Sequence, residues 1–282
     1  MDLNKFTRHA GGSDDLITLD PDHPGFRDTV YRKRRDTIAR IALEYTPGSA
    51  VPDAPYIEEE HQVWQTVWEA LAPLHQARVC EEVLALQAFL PLDHSEIPQL
   101  RALNPALESA AGFRMEPVAG LVTPRTFMRY LGRRVFLSTQ YIRHHSRPLY
   151  TPEPDVVHEL VGHAATLVHP GIAEVNRLLG LAADVANDTE MERIDRVYWY
   201  TMEFGVVAQG GTVKAFGAGL LSSVGELGEF DTHAELKDWS LTEMSHTPFD
   251  PTQYQSTLFV APSFTHLLVD VSRWVRNGDW RD

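Results

Sequence analysis

Apolar positions along this chain recur mostly at intervals of three and four residues, the period of a helix that buries one face. From Asp28 to Tyr45 a charged segment carries Val30, Ile38, Ile41 and Ala42 at that spacing, just after a turn signal at His23-Pro-Gly-Phe26. A loop rich in Gly, Ser and Pro (48–55) separates it from a second helix expected over Ile57–Leu74, where Trp64 and Trp68 share a face. A third helix is expected over Ala77–Leu90, and Ser95-Glu-Ile-Pro-Gln99 starts a short fourth. Between residues 111 and 140 the pattern shortens into β-tolerant stretches around a small helix near Pro124–Leu131. Pro148 to Pro154 reads as a rigid extended loop, because a residue before proline is pushed out of helical geometry. A helix is expected from Pro154, where proline suits the first turn, through about Val168. Thr189 with Glu192 makes a capping-box start for a helix running to about Ala208, ended by Gly210 and Gly211. A strand or two, a short helix after residues 217–223 and a helix over Phe264–Arg276 close the chain. The expected fold class is mainly α with a minor β component. Residues 1–20 are polar and Gly-bearing and read as a flexible arm, ahead of one domain over residues 21–282.

Charge narrows the partners. With 25 basic against 39 acidic residues the net charge is −14, so neither nucleic acid nor an anionic membrane surface, each of which needs a basic footprint, is the expected partner. A single cysteine, Cys80, rules out an internal disulfide, a zinc ribbon and an iron–sulfur cluster. The N-terminus lacks the apolar stretch of a signal peptide and no run is long enough to span a bilayer, so the expected location is the cytoplasm.

The chemistry concentrates in His158-Glu-Leu-Val-Gly-His163, set in a largely apolar helical run. Two core histidines with hydrogen-bond partners would explain such a pair, and so would two neutral imidazole metal ligands. A zinc metalloprotease on this segment is the competing enzyme class, but H-E-x-x-H proteases place their histidines four apart on one helix face. Here the separation is five, about 140° on an ideal helix, so both rings reach one metal only where the helix deforms, which Gly162 makes easier. Glu203 is the third candidate ligand, the one carboxylate in the apolar and aromatic stretch 197–207. Buried without a cation it would cost several kcal/mol. Two histidines and a carboxylate leave coordination positions open, the facial arrangement suited to iron(II) and dioxygen. In the stretch 140–155, Arg143 has the fork geometry for a carboxylate. His144 and His145 are adjacent, are expected to point in different directions and are assigned to no metal, and His169 reads as a capping or surface residue.

Three ordered segments, Tyr150 through His163, Tyr198 through Gly205 and Phe216 through Ser223, closely resemble the pterin-dependent aromatic amino acid hydroxylases. The likeness extends from His23-Pro-Gly-Phe26 through Gln140-Tyr-Ile-Arg-His144 to a weaker match at 259–264. The resemblance implies the catalytic domain of that family, binding iron(II) in a deep cleft. It implies dioxygen as co-substrate, a tetrahydropterin (tetrahydrobiopterin or a related pterin) as electron donor, and ring hydroxylation through an iron(IV)-oxo species. By motif position, His158, His163 and Glu203 match the iron ligands and Arg143 the arginine that binds the amino acid carboxylate. Thr151, Pro154, Asp155, Gly219 and Ser222 match substrate-pocket positions, with Trp199 as an aromatic wall. Gly120, Val122, Pro124 and Phe127 match the pterin loop, and Glu159 and Tyr198 fall on the pterin side.

The chain also departs from the animal members. It reads Ala164-Ala-Thr166 after the second histidine where they have Val-Pro-Leu, and Leu137 where animal phenylalanine hydroxylases have a histidine near the pterin. It lacks their N-terminal regulatory domain and C-terminal tetramerisation helix, so the expectation is a monomer or weak dimer without allosteric activation of that kind. Trp199 favours phenylalanine 4-hydroxylation. Tryptophan 5-hydroxylation and phenylalanine 3-hydroxylation stay open, because one pocket contact shifts discrimination by only about 1–3 kcal/mol.

Overall fold

A computed structural model describes residues 19–281. Residues 1–18 of the expected arm lie outside the described residues, and Leu19 is already buried. Helices dominate: α1 (Thr29–Glu44), α2 (Glu58–Arg78), α3 (Glu81–Gln87), α4 (Leu100–Ala111) and α5 (Pro124–Leu131), the last two flanking β1 (Arg114–Pro117). After β2 (Val135–Ser138) come α6 (residues 156–167), α7 (Pro170–Val185) and α8 (residues 188–203). The chain closes with β3 (Val206–Gln209), β4 (Thr212–Ala215), α9 (Ala218–Ser222), α10 (Val224–His233), β5 (Glu235–Asp238), α11 (Leu241–His246), β6 (Thr257–Ala261) and α12 (Phe264–Asn277). This is the mainly α class with minor β content that the pattern predicts.

Strands β1 and β2 pair in parallel, and a second sheet has the order β4-β3-β6-β5, with only β3 and β4 antiparallel. One continuous apolar cluster runs from Trp64 and Trp68 on α2 through Leu160 and Val161 on α6 to Leu267 and Val271 on α12. Embedding α6 in that cluster on most sides is what makes its sequence nearly all apolar, and it fixes the one place where the element carries histidines.

Several boundaries differ from the reading of the sequence, each for a local reason. Helix α2 runs on to Arg78, and a break at Val79–Cys80 follows because the Cys80 N–H bonds the Ala215 carbonyl. Helix α4 starts at Leu100 and is longer than the short helix expected at 95–99. Helix α6 starts at residue 156 rather than 154: Asp155 sits at its N-terminus and accepts the backbone N–H of His158. The cap of α8 is Asn187 with Glu190, two residues before the expected Thr189–Glu192 pair. That helix ends at Glu203, not Ala208, since Val206–Gln209 form a hairpin with β4 whose Gly210-Gly211 turn takes φ of +60° and +78°. Helix α7 was not read from the sequence at all. His169, expected as a capping or surface residue at the end of the preceding helix, instead caps the start of this one, its Nδ1 accepting the N–H groups of Gly171 and Ile172.

Candidate metal centre and its flanking pockets

The five-residue spacing of the histidines is resolved by the backbone. Residues His158–Ala164 form a π-helical turn inside α6, so that residues five apart lie one turn apart on the same face. Gly162 permits this by close packing more than by flexibility: a Cβ there would stand 2.7 Å from the Ala218 carbonyl oxygen and 3.0 Å from Ala218 Cα on α9. A second π-turn, Trp199–Glu203, closed by the Phe204 N–H to Trp199 carbonyl bond of 2.8 Å, ends α8 and delivers Glu203.

The three expected ligands converge. His158 Nε2 and His163 Nε2 are 3.0 Å apart, His163 Nε2 is 3.1 Å from Glu203 Oε1, and His158 Nε2 is 3.5 Å from Glu203 Oε2. The Ser222 hydroxyl donates to the Ala218 carbonyl at 2.8 Å and stands 3.1 Å from His158 Nδ1. Its proton being so used, the hydroxyl accepts from His158 Nδ1–H, which leaves the Nε2 lone pair facing the other two ligands. Burial depresses His158 to about 4, against the opposing pull of Glu203. That keeps the ring in the neutral form a metal needs. Burial also acts against a charged His163 and a charged Glu203, but each offsets it in the other: His163 is raised and Glu203 lowered. Two imidazole nitrogens and a carboxylate converging within 4.8 Å of one another fit a divalent iron with open positions.

Of the residues expected to hold the pterin, Phe127 stands beside His163, their ring centroids 6.5 Å apart. Phe127, Phe136 and Tyr198 form an edge-to-face cluster, and the Phe136 ring is 4.6 Å from that of His163. The Tyr198 hydroxyl is buried beside the Glu203 carboxylate. Glu159 Oε1 accepts both the backbone N–H (3.1 Å) and the hydroxyl (2.8 Å) of Thr139. Burial raises its carboxyl to about 7 even so. Gly120 is buried, Val122 is half-buried, and Pro124 opens α5 behind the Thr123 cap.

Arg143 does not stand free. Its Nε and Nη2 grip Asp155 Oδ2 and Oδ1, both at 2.8 Å, with both side chains buried. Burial works against the Asp155 charge, and Arg143 outweighs it, holding the carboxyl below its ordinary value. Thr151 bonds the Glu153 carbonyl within the extended loop, Pro154 is half-buried, and a Cβ on Gly219 would fall 2.6 Å from the Phe204 ring. Trp199 stacks face to face on Phe249 at 4.0 Å and donates its Nε1–H to Gln255 Oε1 at 2.8 Å. Phe136, Thr139, Phe249 and Gln255 were not singled out in the sequence. They carry no motif and come from segments up to 56 residues away from the group they touch.

The sequence profile described as biopterin-dependent aromatic amino acid hydroxylase matches residues 1–279. The chain belongs to this family. It is 41% identical over 264 residues to phenylalanine-4-hydroxylase of Homo sapiens, covering 92% of this chain and 58% of that one. It is 38% identical over 265 residues to tyrosine 3-monooxygenase of Schistosoma mansoni, covering 92% and 57%. The chain thus spans under three fifths of the length of these curated relatives. Among solved structures it resembles phenylalanine hydroxylase from Chromobacterium violaceum with bound iron(III) and 7,8-dihydrobiopterin, at a TM-score of 0.77 and 26% identity, covering 93% of this chain and 94% of that one. Phenylalanine hydroxylase from Legionella pneumophila matches at a TM-score of 0.73 and 27% identity, covering 81% and 96%. The family is biopterin-dependent, as the motifs imply. Among the described residues no helix is long and apolar enough to cross a membrane.

Proposed function

We propose that this chain hydroxylates the ring of an aromatic amino acid with iron(II), a tetrahydropterin and dioxygen, and that L-phenylalanine to L-tyrosine is its reaction. The observation that carries this is the convergence of His158, His163 and Glu203, with the buried Arg143–Asp155 pair at the start of the turn that holds His158 and Trp199 opening the turn that ends at Glu203. Iron held by the triad, with the pterin, supplies the oxidising chemistry. The chain's residues do the placing. Arg143, with two of its donors committed to Asp155, presents its remaining fork to the substrate carboxylate at no cost in ordering. Trp199, clamped by Phe249 and Gln255, Gly219 and the Thr151–Pro154 loop shape the slot for the ring. Phe127, Tyr198 and Glu159, with the loop of Gly120, Val122 and Pro124, would hold the pterin, Glu159 accepting from its N–H donors. The zinc protease reading fits less well, because the two histidines stand five residues apart rather than the four of H-E-x-x-H.

Tyrosine 3-hydroxylation is a second reading, favoured by relatives such as the Homo sapiens tyrosine 3-monooxygenase, 42% identical over 252 residues. Anaerobic reconstitution with iron(II), followed by oxygen, a tetrahydropterin and phenylalanine, tyrosine or tryptophan separately, distinguishes them by product mass and chromatography. Para-tyrosine from phenylalanine is the expected result. Meta-tyrosine, hydroxylated tryptophan or 3-hydroxylated tyrosine as the main product would overturn the substrate or ring position. No product from any, with iron bound, would overturn the activity.

A further inference from the structure

A second set of ligand-type side chains lies outside the centre described above. One ring nitrogen each of His144 and His145 and one carboxylate oxygen of Asp28 fall within 4.8 Å of one another. The expectation that the adjacent histidines point apart is not met: their ring centroids are 4.2 Å apart and the planes differ by 32°. We propose that Asp28, His144 and His145 form a binding site for a divalent transition metal of zinc type, separate from the iron centre.

The chemistry of each group fits. Asp28 uses Oδ1 to cap α1, accepting from Val30 and Tyr31, and turns Oδ2 toward His144 Nε2 at 3.3 Å. That is longer than a charge-assisted hydrogen bond of about 2.7–2.9 Å. It matches the roughly 3.3 Å between neighbouring donors of a tetrahedral site with bonds of about 2.0–2.1 Å. It also falls within the 3.0–3.5 Å spread of donor separations in the His158, His163 and Glu203 triad. His144 is buried, its Nδ1 lies 2.7 Å from the Ser146 hydroxyl and accepts the Ser146 backbone N–H at 3.2 Å, and the nitrogen it turns toward Asp28 is Nε2, which would give up its proton to a metal. His145 Nδ1 is 3.1 Å from Glu59 Oε1, the carboxylate–histidine pairing that orients metal-bound imidazoles, which leaves Nε2 for the metal. His145 is solvent-exposed, so its ring can turn toward the other two groups and the site can admit water as a fourth ligand. A metal here would staple the start of α1, and through Glu59 the start of α2, to the loop that carries Arg143.

The test loads the enzyme with iron, adds zinc chloride, removes free metal by gel filtration and counts both metals per chain. One zinc is expected in addition to a full complement of iron, with a zinc-dependent rise in thermal midpoint. His145→Ala should weaken zinc binding at least about tenfold while iron stays bound. Asp28→Ser should do the same, and it retains a capping hydroxyl, so loss of zinc there is not loss of the helix cap. The proposal is overturned if iron-loaded enzyme takes up no zinc, if zinc enters only as iron leaves, or if both variants bind it as tightly as the parent.

Discussion

Gly162 tests the packing logic of the metal centre through the sign of an effect. In an ordinary helix interior, Gly→Ala stabilises by about 1 kcal/mol, because alanine loses less backbone freedom on folding. At Gly162 the added methyl would sit 2.7 Å from the Ala218 carbonyl oxygen, 2.9 Å from its Cβ and 3.0 Å from its Cα. Two of these three atoms are backbone of α9 and cannot rotate away. Overpacking of that kind costs about 1–3 kcal/mol and the backbone contact puts it at the upper end, so a net loss of roughly 1–2 kcal/mol is expected. For a domain of this size that lowers the thermal midpoint by about 2–8 °C. Gly228 on α10 is the matched control, with nothing within 4 Å of its would-be Cβ, and Gly228→Ala should raise the midpoint instead. Because α9 also carries Ser222, pushing it away from α6 should weaken iron binding in Gly162→Ala and leave it unchanged in Gly228→Ala. Thermal unfolding by circular dichroism, with iron retention after dialysis against a mild chelator, reads both effects. A Gly162→Ala protein as stable as the parent, with its iron retained, would refute the argument that close approach of α6 and α9 builds the site.

Further outcomes follow from the same geometry. Ser222→Ala removes the acceptor of His158 Nδ1–H and should weaken iron binding about 10–100-fold with the fold intact; unchanged iron affinity in a chelator titration would contradict that role. Asp155→Asn leaves Arg143 as a buried charge without its counter-ion and should cost about 3–5 kcal/mol in denaturant unfolding and raise KM for the amino acid; a stability within 1 kcal/mol of the parent would contradict it. Burial raises Glu226 to about 7 from its ordinary 4.5, opposed by the Gln255 N–H it accepts. The folded protein therefore holds this proton more tightly than the unfolded one. The stability this confers is full below about 4.5 and is lost as pH rises through about 7, a ceiling of roughly 3 kcal/mol. Glu226→Gln should flatten that decline, and an identical stability-versus-pH curve for the variant would count against it. Sedimentation should give a monomer or weak dimer, and a stable tetramer would refute that expectation.

What the sequence made legible follows from how local each cause is. His158, His163 and Glu203 were readable as a group because polar side chains stand out in apolar surroundings, and the five-residue spacing already required a distorted helix to bring the histidines together. That the distortion is a π-turn, and that Gly162 serves contact with Ala218, depends on an element some 55 residues on and leaves no local trace. The α8 boundary was misplaced because Val206-Val-Ala208 continues the apolar run, and only pairing with β4 and β6 makes it a strand. Helix α7 was missed because its cap is a histidine, outside the usual Ser, Thr, Asp and Asn. Arg143 was marked as a fork for the carboxylate of the amino acid, and the carboxylate it grips in the structure is Asp155 of its own chain. Gln255 and Phe249, which hold Trp199, had no motif to betray them.

The most direct test of the account is an anaerobic iron(II) titration of the parent and of Glu203→Ala, with zinc as competitor, read as metal bound per chain after gel filtration. The parent should bind one iron at the triad, and the variant should remain folded but lose that iron. Equal iron binding by the two proteins would contradict the assignment of His158, His163 and Glu203 as the metal centre.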